Sequence, residues 1–337
     1  MNIPDPAPII DLMEAFRRSK TMFAAVKMGI FDLLGAGPLD CSAIAAAMES
    51  NPDATQRLLE ACVSLKLLEF RDGLFANTAV SDVYLCQTSE RAMTGYVLYS
   101  NDAFYQLWSH LEDAVREGTP RWEQTFGWTG PIFEHFFSTP ERMKTFSLGM
   151  HGMGVTTSPV VVRAFDLSGF EVMVDLGAAT GHLVIAACEA WPSLRAVAFD
   201  LAKVTPLAEE QISRSPAKAR LSVQSGDFFI DALPEADLYA LGRVLHDWKE
   251  DDIRVLLRRI FERLPRGGAL LIAEKQIAED RSGPVGAHMQ SLNMLVCTEG
   301  KERTFSEYRA LLEQAGFSPV EGKVTGAFVD AILARKS

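Results

Sequence analysis

Two aspartates and two glycines mark the segment with the clearest chemical signature, residues 171–200. An apolar run ends at Asp175, a turn of small residues follows from Gly177 to Gly181, and a helical stretch leads to a second apolar run that ends at Asp200. The order is therefore strand, turn, helix, strand. In a doubly wound sheet such a turn approaches a nucleotide, and an acid at the end of the second strand binds the ribose hydroxyls.

The turn differs from the fingerprint of dinucleotide-binding proteins. It reads Gly-Ala-Ala-Thr-Gly, so the third glycine of the GxGxxG pattern is absent. A pyrophosphate needs several backbone N–H groups without side-chain bulk, whereas a nucleoside ligand without phosphates needs fewer. The turn therefore favours S-adenosylmethionine over NAD.

Further polar residues follow the ends of other predicted strands, where ligands bind in open α/β sheets. They are Gly226-Asp227-Phe228, the stretch from Arg243 to Asp247, and Glu274. His246 lies in that stretch, and a neutral imidazole there can accept a proton from a substrate. These residues alone leave open the alternative of a capping or core histidine beside Trp248.

Other catalytic classes lack their motifs. The six histidines show no HxxxH or HExxH spacing, so we expect no metal site, and no GxSxG nucleophile motif occurs. Two features remain, a nucleoside site without a phosphate-binding loop and a candidate general base. They suit methyl transfer, because the sulfonium donor is already activated and the protein needs only to align the acceptor oxygen and remove its proton.

The third region of the chain, residues 166–337, predicts an α/β fold with a doubly wound, mostly parallel sheet. The predicted strands are 172–176, 196–200, 220–224, 237–243, 269–274, 319–323 and 328–334. The predicted helices lie near 181–191, 203–214, 251–264 and 304–315. The link Val324-Thr325-Gly326 is too short for a crossover, which predicts an antiparallel hairpin at one side of the sheet.

The first region, residues 1–88, predicts a small, mostly helical domain. The predicted helices are 9–18, 20–34, 39–48 and 54–68. Two short apolar runs then flank Asp72-Gly73, a hairpin signal, so the order is that of a winged helix. The last of these helices carries only Arg57 and Lys66 as basic residues, which favours a dimerisation domain over a DNA-binding regulator.

The second region, residues 89–165, is rich in aromatic side chains and methionine. Ten of the aromatic residues (20 Phe, 5 Trp and 6 Tyr in the chain) fall here: Phe104, Tyr105, Trp108, Trp122, Phe126, Trp128, Phe133, Phe136, Phe137 and Phe146. Met143, Met150 and Met153 accompany them. The sequence leaves two interpretations open, a core between domains and the wall of a pocket for a flat, apolar substrate.

The composition is that of an ordinary globular protein, with 337 residues, 48% hydrophobic and 23% charged. A net charge of -11 argues against nucleic acid or an anionic membrane as a partner. The five scattered cysteines form no CxxC pair, which indicates reduced thiols. The first residues lack signal-peptide features, and no apolar run approaches the ~20 residues of a membrane helix. We therefore expect a cytoplasmic enzyme.

Several motifs in their order along the chain resemble the class I S-adenosylmethionine-dependent O-methyltransferases of the plant caffeic-acid and animal acetylserotonin type. The motifs are DLGxxxG at 175–181, GDFF at 226–229 and RVLHDW at 243–248. The stretch 291–317 and the TGAFVDAILARK that follows are most similar to the acetylserotonin O-methyltransferase-like branch. The resemblance covers nearly the whole chain and implies a Rossmann-like methyltransferase sheet, a winged-helix dimerisation domain and a homodimer.

The resemblance also implies residue roles. His246 matches the general base, and Glu274 and Glu302 match the two acids that flank it and hold its ring. The predicted cofactor contacts for S-adenosyl-L-methionine are Asp175, Gly177, Gly181, Asp200, Leu201, Gly226, Asp227, Phe228 and Arg243. The predicted substrate contacts are Asp247, Asn293, Cys297 and Met150, and no metal is predicted.

Four departures from the family pattern concern the cofactor turn and the acceptor pocket. The turn has alanines where the family has GGGxG, which narrows the loop without blocking it. Cys297 stands where the animal branch has a glutamine that contacts the substrate, Gly154 where it has a tryptophan, and Phe137 where it has a tyrosine. These changes predict that N-acetylserotonin is at best a poor substrate.

We therefore expect an O-methyltransferase acting on a hydroxyl of a small planar aromatic, such as a phenol, a hydroxyindole or a polycyclic phenol. One alternative is a cofactor-binding protein without turnover, against which the presence of His246, Glu274 and Glu302 argues. Another is an N- or C-methyltransferase on the same fold.

Overall fold

The computed structural model describes residues 3–130, 132–136 and 138–337. The chain divides into two compact units, Met1–Ala103 and Phe104–Ser337. The three domains expected from the sequence, 1–88, 89–165 and 166–337, stay a prediction. No helix in the described part of the chain combines the length and hydrophobicity needed to cross a membrane.

The first unit consists of helices around a short hairpin. Its elements are α1 (Ala7–Lys27), α2 (Ile30–Leu34), α3 (Cys41–Ala47), α4 (Pro52–Ser64), β1 (Leu68–Arg71), β2 (Leu74–Asn77), α5 (Ala79–Tyr84) and α6 (Thr94–Tyr99). Strands β1 and β2 pair antiparallel across Asp72-Gly73, which confirms the predicted hairpin. Asp40 and Asn51 begin α3 and α4, because their side chains accept hydrogen bonds from the free backbone N–H groups of the first turn.

The prediction of separate helices at 9–18 and 20–34 was wrong, because α1 runs without interruption past Ser19. Neither glycine nor proline occurs near Ser19 to end the helix, and a serine inside a helix lowers its stability only slightly. The break comes instead at Gly29, whose φ of 76° is left-handed and suits a residue without a Cβ.

The N-terminal half of α1 presents an apolar face to solvent. Ile9, Ile10, Leu12, Met13 and Phe16 are each more than half exposed. Only Ala25 and Val26, near the end of the helix, are buried. Exposed apolar side chains grouped in this way are typical of interaction surfaces.

The second unit contains the chemically interesting segments. Its helices are α7 (Tyr105–Leu107), α8 (Leu111–Glu117), α9 (Trp122–Phe126), α10 (Ile132–Phe136), α11 (Pro140–Val161), α12 (His182–Ala190), α13 (Thr205–Arg214), α14 (Glu250–Arg263), α15 (Val285–Cys297) and α16 (Phe305–Ala315). Its strands are β3 (Val172–Leu176), β4 (Arg195–Asp200), β5 (Leu221–Ser225), β6 (Leu238–Gly242), β7 (Ala269–Glu274), β8 (Gln276–Ile277), β9 (Arg303–Thr304), β10 (Val320–Lys323) and β11 (Asp330–Arg335).

Seven of these strands form one twisted sheet in the order β10-β11-β7-β6-β3-β4-β5. The five strands from β7 to β5 are parallel, and β11 and β10 add an antiparallel hairpin beside β7. The doubly wound sheet and its C-terminal hairpin are thereby confirmed. The strand order reverses at β3, so the neighbouring ends of β3 and β6 form the crevice where such sheets bind ligands.

Both faces of the sheet are covered, as the strand sequences require. In β7, Leu271 packs with α12 and α13 on one face, whereas Leu270 and Ile272 pack with α14 and α16 on the other. The alternation has the period of two expected for a strand buried on both sides. The core thus holds the carboxyl ends of the five parallel strands at one edge.

Candidate active site

The glycine turn after β3 is held in a conformation that few residues adopt. Gly177 and Gly181 have φ of 77° and 75°, and Ala179 has a φ of 49°. A Cβ on Gly177 would lie 3.1 Å from Val244, so the turn lies close against the end of β6. The Ala178 methyl is buried in the core below the turn, so that methyl does not obstruct a ligand above it.

Asp200 ties this turn to the end of β4. Its Oδ2 accepts a hydrogen bond of 2.7 Å from Ala179 N, and its Oδ1 accepts one of 2.7 Å from Leu201 N. Burial raises the pKa of Asp200 to about 6, and the two backbone hydrogen bonds oppose that rise. Each oxygen keeps a second lone pair, so the carboxylate can still accept from ribose hydroxyls.

Asp175 lies beneath the turn rather than on its surface. It is 2% exposed, and its Oδ1 has no hydrogen-bond partner within the described structure. Burial, followed by the charge of Asp200, raises its pKa well above the ordinary range for aspartate. A neutral Asp175 is therefore expected, which spares the buried pair a second charge.

The end of β5 lies beside the same turn. Gly226 N donates to Asp200 O at 2.9 Å, and a Cβ on Gly226 would overlap the Phe199 ring. The Phe228 ring lies 3.5 Å from the Cβ position of Gly177. Asp227 folds its own loop, since its Oδ1 accepts from Phe229 N at 2.8 Å.

Arg243 follows β6 and has a φ of 57°. Its guanidinium carbon lies 5.6 Å from the Phe328 ring centre, and its Nη1 is buried without a hydrogen-bond partner among the described residues. A buried guanidinium N–H normally has an acceptor, so this group is placed to bind one on a ligand. Together, these groups suit a nucleoside that carries an amino-acid tail. Asp200 can accept hydrogen bonds from its ribose hydroxyls, and Arg243 can donate one to its carboxylate.

His246 lies at the centre of a buried carboxylate cluster. Its Nδ1 is 2.6 Å from Glu302 Oε1 and 3.3 Å from Glu274 Oε2. Its Nε2 points to the other side and lies 3.8 Å from Asp247 Oδ1. Because Nδ1 faces a carboxylate, it carries the proton of the neutral ring, and Nε2 is left to accept one.

The charges around His246 decide its protonation. Burial alone would lower its pKa, but the two glutamates oppose this effect, and the pKa rises to about 10. Asp247 and the hydrogen bond to Glu302 act in the same direction. Burial raises the pKa of Glu274 to about 7, which the positive charge of His246 opposes.

The ligand atoms of His246, Glu274 and Glu302 lie within 4.8 Å of one another, so this cluster could also hold a metal ion. The separation of 2.6 Å between Nδ1 and Glu302 is nevertheless that of a charge-assisted hydrogen bond. We assign the cluster to proton chemistry on that ground.

Two features that the sequence did not predict bring the cluster together. Strands β8 and β9 pair in parallel, with Gln276 opposite Arg303, and this pairing places Glu274 and Glu302 side by side. A Cβ on Gly300 would overlap the carbonyl oxygen of His246, so only glycine allows the two backbones to approach. In the sequence, the only indication of this close approach was the glycine at position 300, within CTEGKER.

The predicted substrate residues Asn293 and Cys297 lie one turn apart on α15, and both are buried. Asn293 Oδ1 accepts from Trp108 Nε1 at 2.9 Å, and the Cys297 carbonyl accepts from Trp122 Nε1 at 2.7 Å. Burial, and then the charge of Asp247, raises the pKa of the Cys297 thiol well above its usual range. The aromatic region therefore packs directly against these predicted substrate positions.

Helix α11 carries the remaining predicted substrate contact, Met150, which is half-buried. Its neighbour His151 bonds Thr180 Oγ1 of the glycine turn at 2.8 Å. A Cβ on Gly154 would overlap the His182 ring, so that ring occupies the space beside the glycine. The sequence reasoning missed both histidines. Phe137 lies outside the described residues, and the side chain of Phe136 is likewise not described.

The geometry agrees with comparisons against known proteins. Residues 108–318 match the O-methyltransferase domain, and residues 10–87 match the O-methyltransferase dimerisation domain. The chain is 41% identical to acetylserotonin O-methyltransferase of Bos taurus over 328 residues, which is 95% of each chain.

Two solved structures extend the match to three dimensions. The crystal structure of human N-acetylserotonin methyltransferase in complex with SAM is similar with a TM-score of 0.94 and 39% identity, over 100% of this chain and 99% of that one. A structure of PigF with SAH gives a TM-score of 0.88 and 26% identity, over 99% and 100%. This chain belongs to the S-adenosylmethionine-dependent O-methyltransferases that carry an N-terminal dimerisation domain.

Proposed function

We propose that the protein methylates the hydroxyl of a hydroxyindole or a similarly flat aromatic, with His246 as the general base. The observation that carries this proposal is the orientation of the His246 ring. Nδ1 is held by Glu302 at 2.6 Å, and Nε2 lies on the side of Asp247. The hydroxyindole acceptor is supported by the 41% identity to bovine acetylserotonin O-methyltransferase.

The residues around the glycine turn would hold S-adenosylmethionine. Asp200 would accept hydrogen bonds from the ribose, Gly226 and Phe228 would lie along the adenine, and Arg243 would bind the carboxylate with its unpaired N–H. Bound S-adenosylmethionine supplies a methyl group on a sulfonium that is already activated. The protein therefore has to align the acceptor and take up one proton.

His246 would take that proton on Nε2 from the acceptor hydroxyl. Glu302 stabilises the charged ring that results, because a hydrogen bond to a charged group is about twice as strong as one between neutral groups. The same carboxylates favour the protonated ring before the acceptor binds. Only the fraction of enzyme with a neutral ring is then competent.

The flat acceptor would lie against α15. Trp108 already occupies the Asn293 oxygen, which leaves the amide nitrogen as the free polar group of that side chain. Cys297 offers only a weak hydrogen-bonding group. This pocket therefore disfavours an acceptor whose polar arm needs a strong hydrogen-bond partner at position 297.

The exposed apolar face of α1 supports a homodimer, because burying it removes apolar surface from water. The match of residues 10–87 to a dimerisation domain supports the same proposal. The five cysteines are free, which fits the cytoplasm as the compartment.

Replacing Asp200 should weaken cofactor binding while the fold persists. Loss of its ribose hydrogen bonds should raise the Kd for S-adenosylhomocysteine in Asp200→Ala at least about tenfold, since hydrogen bonds to a charged group contribute about 1.5–3 kcal/mol each. Asp237→Ala is a matched control, because Asp237 also accepts two backbone hydrogen bonds of 2.8 Å but lies at the opposite edge of the sheet. Unchanged affinity in calorimetry would remove Asp200 from the site.

Replacing His246 should stop chemistry without affecting the cofactor. We expect His246→Ala to lower kcat by roughly 10²–10⁴ with little change in affinity for S-adenosylhomocysteine. His288→Ala, at a histidine bound to a surface carbonyl, is the control. An active His246→Ala enzyme would show that the acceptor arrives ionised or that positioning suffices.

The pH dependence should reflect the raised pKa of His246. The neutral ring is the active form, and its fraction grows as the pH rises toward a pKa of about 10. The value of kcat/KM should therefore fall at low pH and rise through the neutral range into the alkaline range. The residual rate of His246→Ala over the same range gives the contribution of acceptor ionisation. A wild-type profile that is flat above neutral pH contradicts this assignment.

The acceptor should lack a large polar arm. We expect a higher kcat/KM for simple hydroxyindoles, catechols or polycyclic phenols than for N-acetylserotonin, since a pocket without a partner for a buried polar group discriminates against it. Cys297→Gln should improve N-acetylserotonin, and Cys297→Ser controls for the loss of sulfur. The pocket interpretation is wrong if N-acetylserotonin is the best acceptor and Cys297→Gln brings no gain.

Charges on the exposed face of α1 should dissociate the dimer. We expect the double variant Leu12→Glu, Phe16→Glu to elute as a monomer in size-exclusion chromatography with light scattering, because the introduced carboxylates would be desolvated in the interface. Glu14→Lys, at an exposed polar position of the same helix, should leave the assembly intact. A wild-type chain that is monomeric at micromolar concentration rules the proposal out.

A further inference from the structure

Helix α11 contacts the cofactor turn along one of its faces. His151, Gly154 and Ser158 are spaced by three and four residues, so they share that face. The His151 ring bonds Thr180 Oγ1 at 2.8 Å, just before the end of the turn. The Ser158 hydroxyl bonds His182 Nδ1 at 2.8 Å, at the start of α12. The two hydrogen bonds hold α11 against both sides of the last glycine of the turn.

The ring of His182 takes the space beside Gly154. A Cβ on Gly154 would overlap Cδ2 and Nε2 of this ring, so no larger residue at position 154 allows the ring its place. His182 is the first residue of α12, directly after Gly181, and it is partly exposed. The ring therefore borders the crevice at the glycine turn.

The hydrogen bond from Ser158 determines which nitrogen of the His182 ring carries the proton. Ser158 is 2% exposed, and His182 Nδ1 is the one acceptor that the described residues offer to its hydroxyl hydrogen. A buried hydroxyl without an acceptor is costly, so it donates to Nδ1. The proton of the neutral ring is then on Nε2, which has no hydrogen-bond partner among the described residues.

Arg243 reaches the same crevice from the end of β6. A Cβ on Gly242, the residue before it, would lie 3.5 Å from the side chain of Leu183, the residue after His182. The residue that follows Arg243 lies equally close to the first glycine of the turn. The end of β6 is thus in contact with both the turn and the start of α12, and Arg243 and His182 border one crevice.

The His182 ring is neutral in this place. Burial, followed by the charges of His151 and Arg243, lowers its pKa to about 3. Burial and the charge of Arg214 also lower the pKa of His151. A neutral ring offers an N–H donor and adds no positive charge beside the sulfonium and the ammonium of S-adenosylmethionine.

We propose that His182 binds the amino-acid tail of S-adenosylmethionine, by donating a hydrogen bond from Nε2 to the carboxylate that Arg243 also binds. The tail has an ammonium and a carboxylate, and only the carboxylate accepts hydrogen bonds. Its two oxygens accommodate a donor from each residue. Gly154 is the residue that makes room for this second donor. The inference rests on the cofactor site at the glycine turn and is independent of the role of His246.

The experiment compares two ligands that differ in the tail. S-adenosylhomocysteine carries the amino-acid tail, whereas 5′-methylthioadenosine keeps the nucleoside and the sulfur without it. In calorimetry, His182→Ala should raise the Kd for S-adenosylhomocysteine about tenfold and change the Kd for 5′-methylthioadenosine less than about twofold, since only the first loses a hydrogen bond to a charged group. A merely structural role of the ring would weaken both ligands, because both need the turn and Asp200.

Replacing Gly154 tests whether the position of the ring matters. In Gly154→Ala the added Cβ should displace the ring, so the Kd for S-adenosylhomocysteine should rise by a similar factor. The same replacement should have little further effect in His182→Ala, where no ring is left to displace. Gly169→Ala is the matched control, because a Cβ there meets no atom within 4 Å.

NMR of the wild-type chain, labelled with ¹⁵N in histidine, keeps the inference testable if a variant does not fold. The signals of His182, identified with His182→Gln, should be those of a neutral ring protonated on Nε2. Addition of S-adenosylhomocysteine should shift the Nε2 signal, and 5′-methylthioadenosine should shift it much less.

A loss of affinity that is confined to the ligand with the tail supports the inference, as does the coupling between positions 154 and 182. It is overturned if His182→Ala binds S-adenosylhomocysteine like the wild type, if both ligands lose affinity equally, or if both ligands shift the Nε2 signal alike. Failure of the cofactor site itself looks different, because the wild-type chain would then bind neither ligand.

Discussion

The hydrogen bond of 2.6 Å between His246 Nδ1 and Glu302 is the interaction on which the site depends. Both groups are almost fully buried, and a charge without its partner there would cost several kcal/mol. The backbone must therefore deliver the two side chains with little tolerance. It does so by close approach at Gly300, and by a hydrogen bond from Leu245 N to Glu274 Oε1 at 2.8 Å, which fixes the turn that carries the histidine.

The sheet was predictable because its signals are local. Strand β3 and the end of β7 were predicted at their observed bounds, since apolar runs of that length between polar turns leave few alternatives. Once the strands are known to be parallel, the residues that follow them must meet at one edge. That argument predicts that Asp200, Gly226 and Arg243 lie close together, and the pairing of β4, β5 and β6 with their neighbours brings the ends of these strands to one edge.

The parts that the sequence did not predict depend on contacts between distant segments. Strands β8 and β9 pair through only two residues each, with residue 276 opposite residue 303. Strands this short show no alternation of apolar and polar residues from which they could be predicted. The packing of the His182 ring against Gly154 is likewise a contact between distant segments, which the sequence does not reveal. The prediction of two helices at 9–18 and 20–34 was wrong for a different reason: nothing near Ser19 interrupts a helix, and the break comes only at Gly29.

The two ends of the active-site edge each use a carboxylate, but in different ways. At the cofactor side, Asp200 accepts hydrogen bonds from two backbone N–H groups, which favour its charge and oppose the rise in its pKa that burial causes. At the base side, Glu302 faces the imidazole of His246, and its charge raises the proton affinity of that ring. The two carboxylates have these different surroundings because β4 ends next to the glycine turn, whereas β7 leads directly into the β8–β9 pair.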